Sequence, residues 1–161
     1  MPRSPRADRT GTPPPRGSGN LTSLDFVRKL VSHGADVNFA KKSDGGNRLR
    51  ISTKGSTPFL CAASTADVDY MKVLLELGAD PKAVNAAGQN ALMMAAMFNR
   101  TEIVDLLLER GADIDRQDAT GHTALMAARI MNAPDTPSQL ARAAERRQAQ
   151  ASNDRQSPTQ P

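Results

Sequence analysis

Tryptophan is absent from this 161-residue chain, and the five aromatic residues, Phe26, Phe39, Phe59, Phe98 and Tyr70, make up only 3% of it. Aromatic rings usually supply large blocks of buried area, so the core has to be assembled from Leu, Val, Ile, Met and Ala, a palette that suits helices better than a β-sandwich. A single cysteine, Cys61, excludes an internal disulfide and leaves no thiol partner for a structural zinc site, which agrees with a reducing compartment. No stretch approaches the roughly 18 consecutive apolar residues of a membrane span, and Met1-Pro2-Arg3-Ser4-Pro5 carries charge with no apolar segment behind it. The expectation is a chain without signal peptide or membrane contact, with an intracellular, cytoplasmic location as the default. With 39% hydrophobic and 24% charged residues it can build one modest domain.

The formal net charge of +4 is unevenly placed. Residues 1–19 carry +3, residues 20–54 carry +4, residues 55–132 carry −4 and residues 133–161 carry +1. The most hydrophobic stretch is thus acidic, and the basic balance comes from an N-terminal arm and one loop. Residues 1–19 contain five prolines with Gly, Ser and Arg and no apolar periodicity, so they cannot bury enough surface to offset the entropy of ordering. They are expected to be a disordered basic arm, and residues 149–161, of similar composition, a disordered tail.

Internal repetition organises the rest. Gly34-Ala35-Asp36, Gly78-Ala79-Asp80 and Gly111-Ala112-Asp113 share one tripeptide, the last two 33 residues apart. Gly55, Gly88 and Gly121 keep the same step, as do the segments opening at Thr57, Asn90 and Thr123: Thr-Pro-Phe-Leu-Cys-Ala-Ala, Asn-Ala-Leu-Met-Met-Ala-Ala and Thr-Ala-Leu-Met-Ala-Ala. Ahead of each Gly-Ala-Asp lies an apolar stripe at helical spacing: Val27, Leu30, Val31; Met71, Leu74, Leu75; Val104, Leu107, Leu108. Each unit therefore reads as a turn ending at glycine, a short alanine-rich helix capped by Thr57, Asn90 or Thr123, and a second helix stopped by glycine. None can bury its apolar face alone, so the units must stack.

These segments resemble the ankyrin repeat family, whose 33-residue unit and Thr-Pro-Leu-His-x-Ala signature they follow over about residues 22 to 133. The resemblance implies an all-α solenoid of helix-turn-helix repeats with short β-turn or hairpin fingers. The signature's histidine is replaced by Leu60, Met93 and Met126, its proline survives only at Pro58, and the left-handed glycine between the helices becomes Ala66, Asn99 and Asn132. Asn tolerates that conformation and Ala does not, so a looser helix connection is expected at Ala66.

The expected organisation is a half repeat over residues 20–38, an extended hairpin insertion over 39–54, whole repeats at 55–87 and 88–120, and a partial repeat at 121–133. A weak capping helix over 134–148 follows, with Thr136 as N-cap, Pro137 at its first position, and Leu140 as its only large apolar residue. The insertion arises because Gly34 and Gly55 lie 21 residues apart where the later pairs lie 10 apart. It contains Asp44-Gly45-Gly46, a turn signal, then the alternation Arg48, Leu49, Arg50, Ile51, and reads as a longer finger. Its bases Lys41, Lys42, Arg48, Arg50 and Lys54 offer a contact for an acidic partner, the alternative being a loop that charge merely keeps solvated.

Chemistry finds little support. His33, Cys61 and His122 show no ligand spacing, and Asp113-x-Asp115-x-x-Asp118 fails the pattern of a calcium loop. No phosphate-cradling glycine loop or nucleophile elbow occurs, so the expectation is no enzyme, no metal and no cofactor. Met93, Met94, Met97, Met126 and Met131 are read first as core fillers standing in for the missing histidines. By the family's geometry, however, the residues that end the first helices face the concave groove: Ser64 and Thr65, Met97 and Phe98, Ile130 and Met131. Met97, Phe98, Ile130 and Met131 thereby form a candidate apolar hot spot, flanked by the finger residues Lys54, Gln89, Thr120 and His122, unless the C-terminal helix covers it.

The expected function is a non-catalytic scaffold, monomeric and without a cofactor, that binds a protein partner through groove and fingers. Two alternatives stand beside it: a regulatory or targeting segment of a larger protein, and an electrostatic nucleic-acid binder using the basic arm and finger. The second is disfavoured because stacking aromatics are missing and the repeats are acidic. The half repeat also leaves open a natural start upstream of Met1.

Overall fold

The computed structural model describes residues 22–43, 53–65 and 68–156. The expected arm at 1–19, the turn and alternating stretch of the insertion, and the helix connection at Ala66 lie outside the described residues. Two compact units, Met1–Ala35 and Asp36–Pro161, divide the chain. The described residues form helices and turns, with no strand among them.

The first unit contributes helix α1 (Ser23–Ser32). Thr22 opens it with a capping box: its hydroxyl oxygen accepts the Asp25 N–H at 3.1 Å, and the Asp25 carboxylate accepts the Thr22 N–H at 3.3 Å. These contacts hold the Asp25 carboxyl below its ordinary range, the Thr22 side-chain hydrogen bond being the main cause. Gly34, at φ +92°, ends the helix, and Ala35 N–H reaches back to the Leu30 carbonyl at 3.1 Å.

The second unit holds α2 (Pro58–Thr65), α3 (Val68–Glu76), α4 (Ala91–Met97), α5 (Thr101–Glu109), α6 (Ala124–Ile130) and α7 (Thr136–Gln156). Short helices α2, α4 and α6 pack side by side in one layer, while α3, α5 and α7 follow in the other, each against its own short partner. Asn90 and Thr123 cap α4 and α6 as their side chains accept the N–H groups of Met93 and Met126, and Thr57 accepts that of Leu60 at the start of α2. Between paired helices, Asn99 and Asn132 both sit at φ +54°, the left-handed turn expected of asparagine. Leu60, Phe59, Leu92, Met93, Met71, Leu74 and Val104 fill the core, and Ala63, Ala95, Ala96 and Ala128 allow the short helices to approach closely.

Helix α7 differs from the expectation in two respects. It runs to Gln156 rather than stopping near Gln148, because nothing between Ala149 and Gln156 is Gly or Pro and the Ala, Gln and Arg content favours helix. Residues 149–156 of the expected tail are thus helical, and residues 157–161 lie outside the described part. Its N-terminus is also capped from a distance rather than by Thr136. The Asn99 side-chain oxygen accepts the N–H groups of Asp135 at 3.0 Å and Thr136 at 3.1 Å, while its amide donates to the Asp135 carboxylate at 2.9 Å. Thr136, fully buried, spends its hydroxyl proton on the Ala96 carbonyl at 2.8 Å. Gln139 donates to the Thr101 carbonyl at 2.9 Å, and Leu140 is fully buried, so a helix with one large apolar residue is held mainly by polar locks to the preceding repeat.

Candidate functional site

The second and third fingers are each built around one acceptor side chain. In the second finger Asn85 Oδ1 accepts the N–H groups of Ala87 and Gln89, both at 3.0 Å, and 33 residues later Asp118 Oδ1 accepts those of Thr120 at 2.8 Å and His122 at 2.9 Å. An Asx side chain that mimics a turn carbonyl suits this geometry. Thr120 donates its hydroxyl proton to Asp118 at 2.7 Å and lies 2.7 Å from His122 Nδ1. With that proton committed, the Thr120 oxygen is left to accept a proton from His122 Nδ1. Burial works to raise the Asp118 carboxyl, but hydrogen bonds from the Thr120 side chain and from the His122 and Thr120 backbone, with the nearby His122 ring, hold it below its ordinary range.

Neighbouring fingers are joined through the backbone. Ala86 N–H donates to the Lys54 carbonyl at 2.9 Å, and Ala119 N–H to the Ala87 carbonyl at 3.0 Å. The approach is so close that a Cβ on Gly88 would lie 2.8 Å from the Ala119 nitrogen, and the residue also sits at φ +75°. Only glycine meets both demands.

In the first finger Lys41 takes the place of Asn85: its N–H donates to the Ser56 carbonyl at 3.0 Å and its carbonyl accepts the Gly55 N–H at 2.7 Å. The inserted residues therefore leave and return between Lys41 and Gly55, and the Lys41 ammonium adds a bond to the Thr53 hydroxyl at 3.1 Å across the base. Lys41, Lys42 and Lys54 are exposed there. Arg48 and Arg50, the other two bases assigned to this finger, lie outside the described residues.

The apolar candidates end the short helices. Met97 is half-buried, with its sulfur 3.9 Å from the Gln89 amide, so helix end and finger meet at one corner. Phe98 is half-buried beside it, whereas Ile130 and Met131 at the end of α6 are exposed, at 61% and 42%. Helix α7 packs on α6 without covering them. The reading of the methionines as core holds for Met93 and Met94, at 1% and 3% exposure, and fails for Met126 and Met131, at 48% and 42%, with Met97 half-buried between the two. Sequence reasoning missed Met126 as a surface residue because its register is that of buried Leu60 and Met93. The signal that could have found it is the loss of frame after Asn132, where no further Thr-x-Leu segment follows.

Polar chemistry is sparse. Burial raises the Cys61 thiol despite the opposing charge of Lys41, which makes it a poor nucleophile, and among the described residues no group of three or more His, Cys, Asp and Glu could hold a metal. A groove of about 810 Å³ between α5 and α7 sets Asp105 and Glu109 against Arg142, Arg146 and Arg147, so its charges answer one another rather than presenting a field of one sign. No helix among the described residues is long and apolar enough to cross a membrane.

The stacked pairs of helices, the backbone-linked fingers and the 33-residue register define an α-helical repeat array. A family model described as ankyrin repeats in three copies matches residues 18–118 and 77–150, and the chain belongs to that family. Among curated proteins, none matches the chain.

Proposed function

We propose that the chain is a non-catalytic scaffold that holds a protein partner at the corner where the fingers meet the ends of the short helices. Ankyrin repeats are in general protein-interaction modules, and the reading of this corner as the contact rests on one observation: Met97, Phe98, Ile130 and Met131 remain half-buried or exposed in the folded array. Apolar side chains of this size left in contact with water along one line gain by being covered, roughly 25 cal/mol per Å² of area removed from solvent. Gln89 meets Met97 from its finger, and the finger residues Thr120 and His122 with the exposed Lys54 and Lys41 supply the polar rim. Thr120 acts chiefly by fixing His122, since its hydroxyl is committed to Asp118.

The test compares proteins captured from cell extract by the unaltered chain and by the Phe98→Ser, Met131→Ser double variant. A partner retained by the first and lost by the second, with both chains melting at the same temperature, supports the reading. Equal capture by both rejects this corner.

A further inference from the structure

The last finger and α6 carry, uncovered, the same positions that the preceding units use to hold the next one. Leu60 and Met93 are 0% and 1% exposed under the repeat that follows each, while Met126, in their register, is 48% exposed. Gly55 and Gly88 would each drive a Cβ against the backbone of the following finger, whereas Gly121, at a similar φ of +84°, has nothing within 4 Å among the described residues. The Lys54 and Ala87 carbonyls accept an N–H from the following finger, and no described backbone N–H donates to the corresponding carbonyl of Thr120. Side-chain burial, backbone packing and backbone hydrogen bonding thus agree on one face.

A fourth position says what would fit. Ala63 and Ala96 are fully buried in the stack, and the residue in their register on α6 is Arg129, which is exposed. Covering Arg129 with another uncharged helix would strand its guanidinium, so a well-matched occupant brings a carboxylate. A second copy of this chain does not. The position that meets the preceding short helix is held by Met94, buried once α2 precedes it, with exposed Cys61 and buried Ala127 in the same register, and none of the three is acidic.

We propose that this face, made of Met126, Arg129, Ile130 and the Thr120–Gly121 backbone edge, receives a repeat-like finger and short helix from a partner protein, stacked in continuity with the inter-repeat interface. The helix covers Met126 and sets a carboxylate on Arg129, and the incoming finger donates a backbone N–H to the Thr120 carbonyl. The surface is distinct from the corner proposed above, although Ile130 borders both.

The test uses the full chain and two fluorescein-labelled peptides with the sequence of residues 84–113, one unaltered and one carrying Met94→Glu; a single unit that cannot bury its apolar face alone is expected to gain helix only on docking, so fluorescence anisotropy is read together with circular dichroism. The expected result is saturable binding of the Glu peptide, roughly tenfold tighter than that of the unaltered peptide. Arg129→Glu in the chain should reverse the preference, Met126→Asp should weaken the Glu peptide roughly tenfold or more, and Phe98→Ser should change neither. All three altered residues have exposed or half-buried side chains, and unchanged thermal melts confirm that the variants are folded. Absence of saturable binding, indifference to Met126→Asp, or an unaltered chain that prefers the Met peptide overturns the proposal. So does a dimer in sedimentation that Met126→Asp abolishes, which would give the face to a second copy. Loss of binding in Phe98→Ser alone would instead assign the peptide to the finger–helix corner.

Discussion

The repeat at residues 88–120 and the unit that begins at Gly121 share caps, turns and register, yet the same positions do opposite things in them. Met93 is sealed in the core and Met126 is open; Gly88 is pressed by the next finger, while Gly121 has nothing within 4 Å among the described residues; Ala96 is buried and Arg129 is exposed. Local conformation does not distinguish the two, since Asn99 and Asn132 have identical φ values of 54° and Asn90 and Thr123 cap alike. What distinguishes them is the neighbour on the C-terminal side. In a stacked array each unit's energetics are a nearest-neighbour property, so a residue type alone says little about its contribution.

The sharpest test of this contrast replaces equivalent methionines. Met93→Ala should cost about 2–5 kcal/mol by opening a cavity in a closed site, and Met126→Ala no more than about 0.5 kcal/mol. Urea unfolding followed by circular dichroism measures both, and equal losses would break the comparison.

Glycine to alanine follows in size. Gly88→Ala carries both the left-handed backbone and the clash with Ala119 and should cost more than about 2 kcal/mol, while Gly121→Ala carries only the backbone strain of about 1–2 kcal/mol. The difference between their melting temperatures isolates the finger contact.

The two asparagines separate a local role from a tertiary one. Asn99→Gly keeps the turn but removes the cap on α7, for an expected loss of about 1–2 kcal/mol, whereas Asn132→Gly should be nearly neutral. Hydrogen exchange of the α7 amides should accelerate in the first variant and not in the second.

Smallest is the effect of pH. The Asp118 carboxyl is depressed in the folded chain, so its stabilisation is present above the ordinary carboxylate pKa and disappears as pH falls through the lowered folded value. Asp118→Asn, which installs the side chain Asn85 uses in the finger before, should flatten the acid limb of a stability-against-pH curve and leave stability near neutrality almost unchanged. An unaltered acid limb would show that Asp118 does not govern it.

Much of the fold was legible from residues. The period, the caps at Thr57, Asn90 and Thr123, the left-handed asparagines and the stop at each glycine are local, depending on side chains within a few positions of the backbone they govern. Register put Met97, Phe98, Ile130 and Met131 at the ends of the short helices, because helix ends recur every 33 residues, while their reading as groove residues came from the family resemblance. Thr136 was read as a local cap and instead bonds Ala96, since its partner lies 40 residues away in sequence. Met126 was read as core for the same reason: its register promised a covering neighbour that only the folded array could reveal to be missing among the described residues.

Sequence by itself determined the family, the helices and the turn chemistry, because each is set by interactions within one unit. Tertiary structure alone decided which equivalent positions are closed and which open, where α7 is anchored, and which face remains for a partner, because burial and long-range hydrogen bonds belong to pairs of units and not to either one.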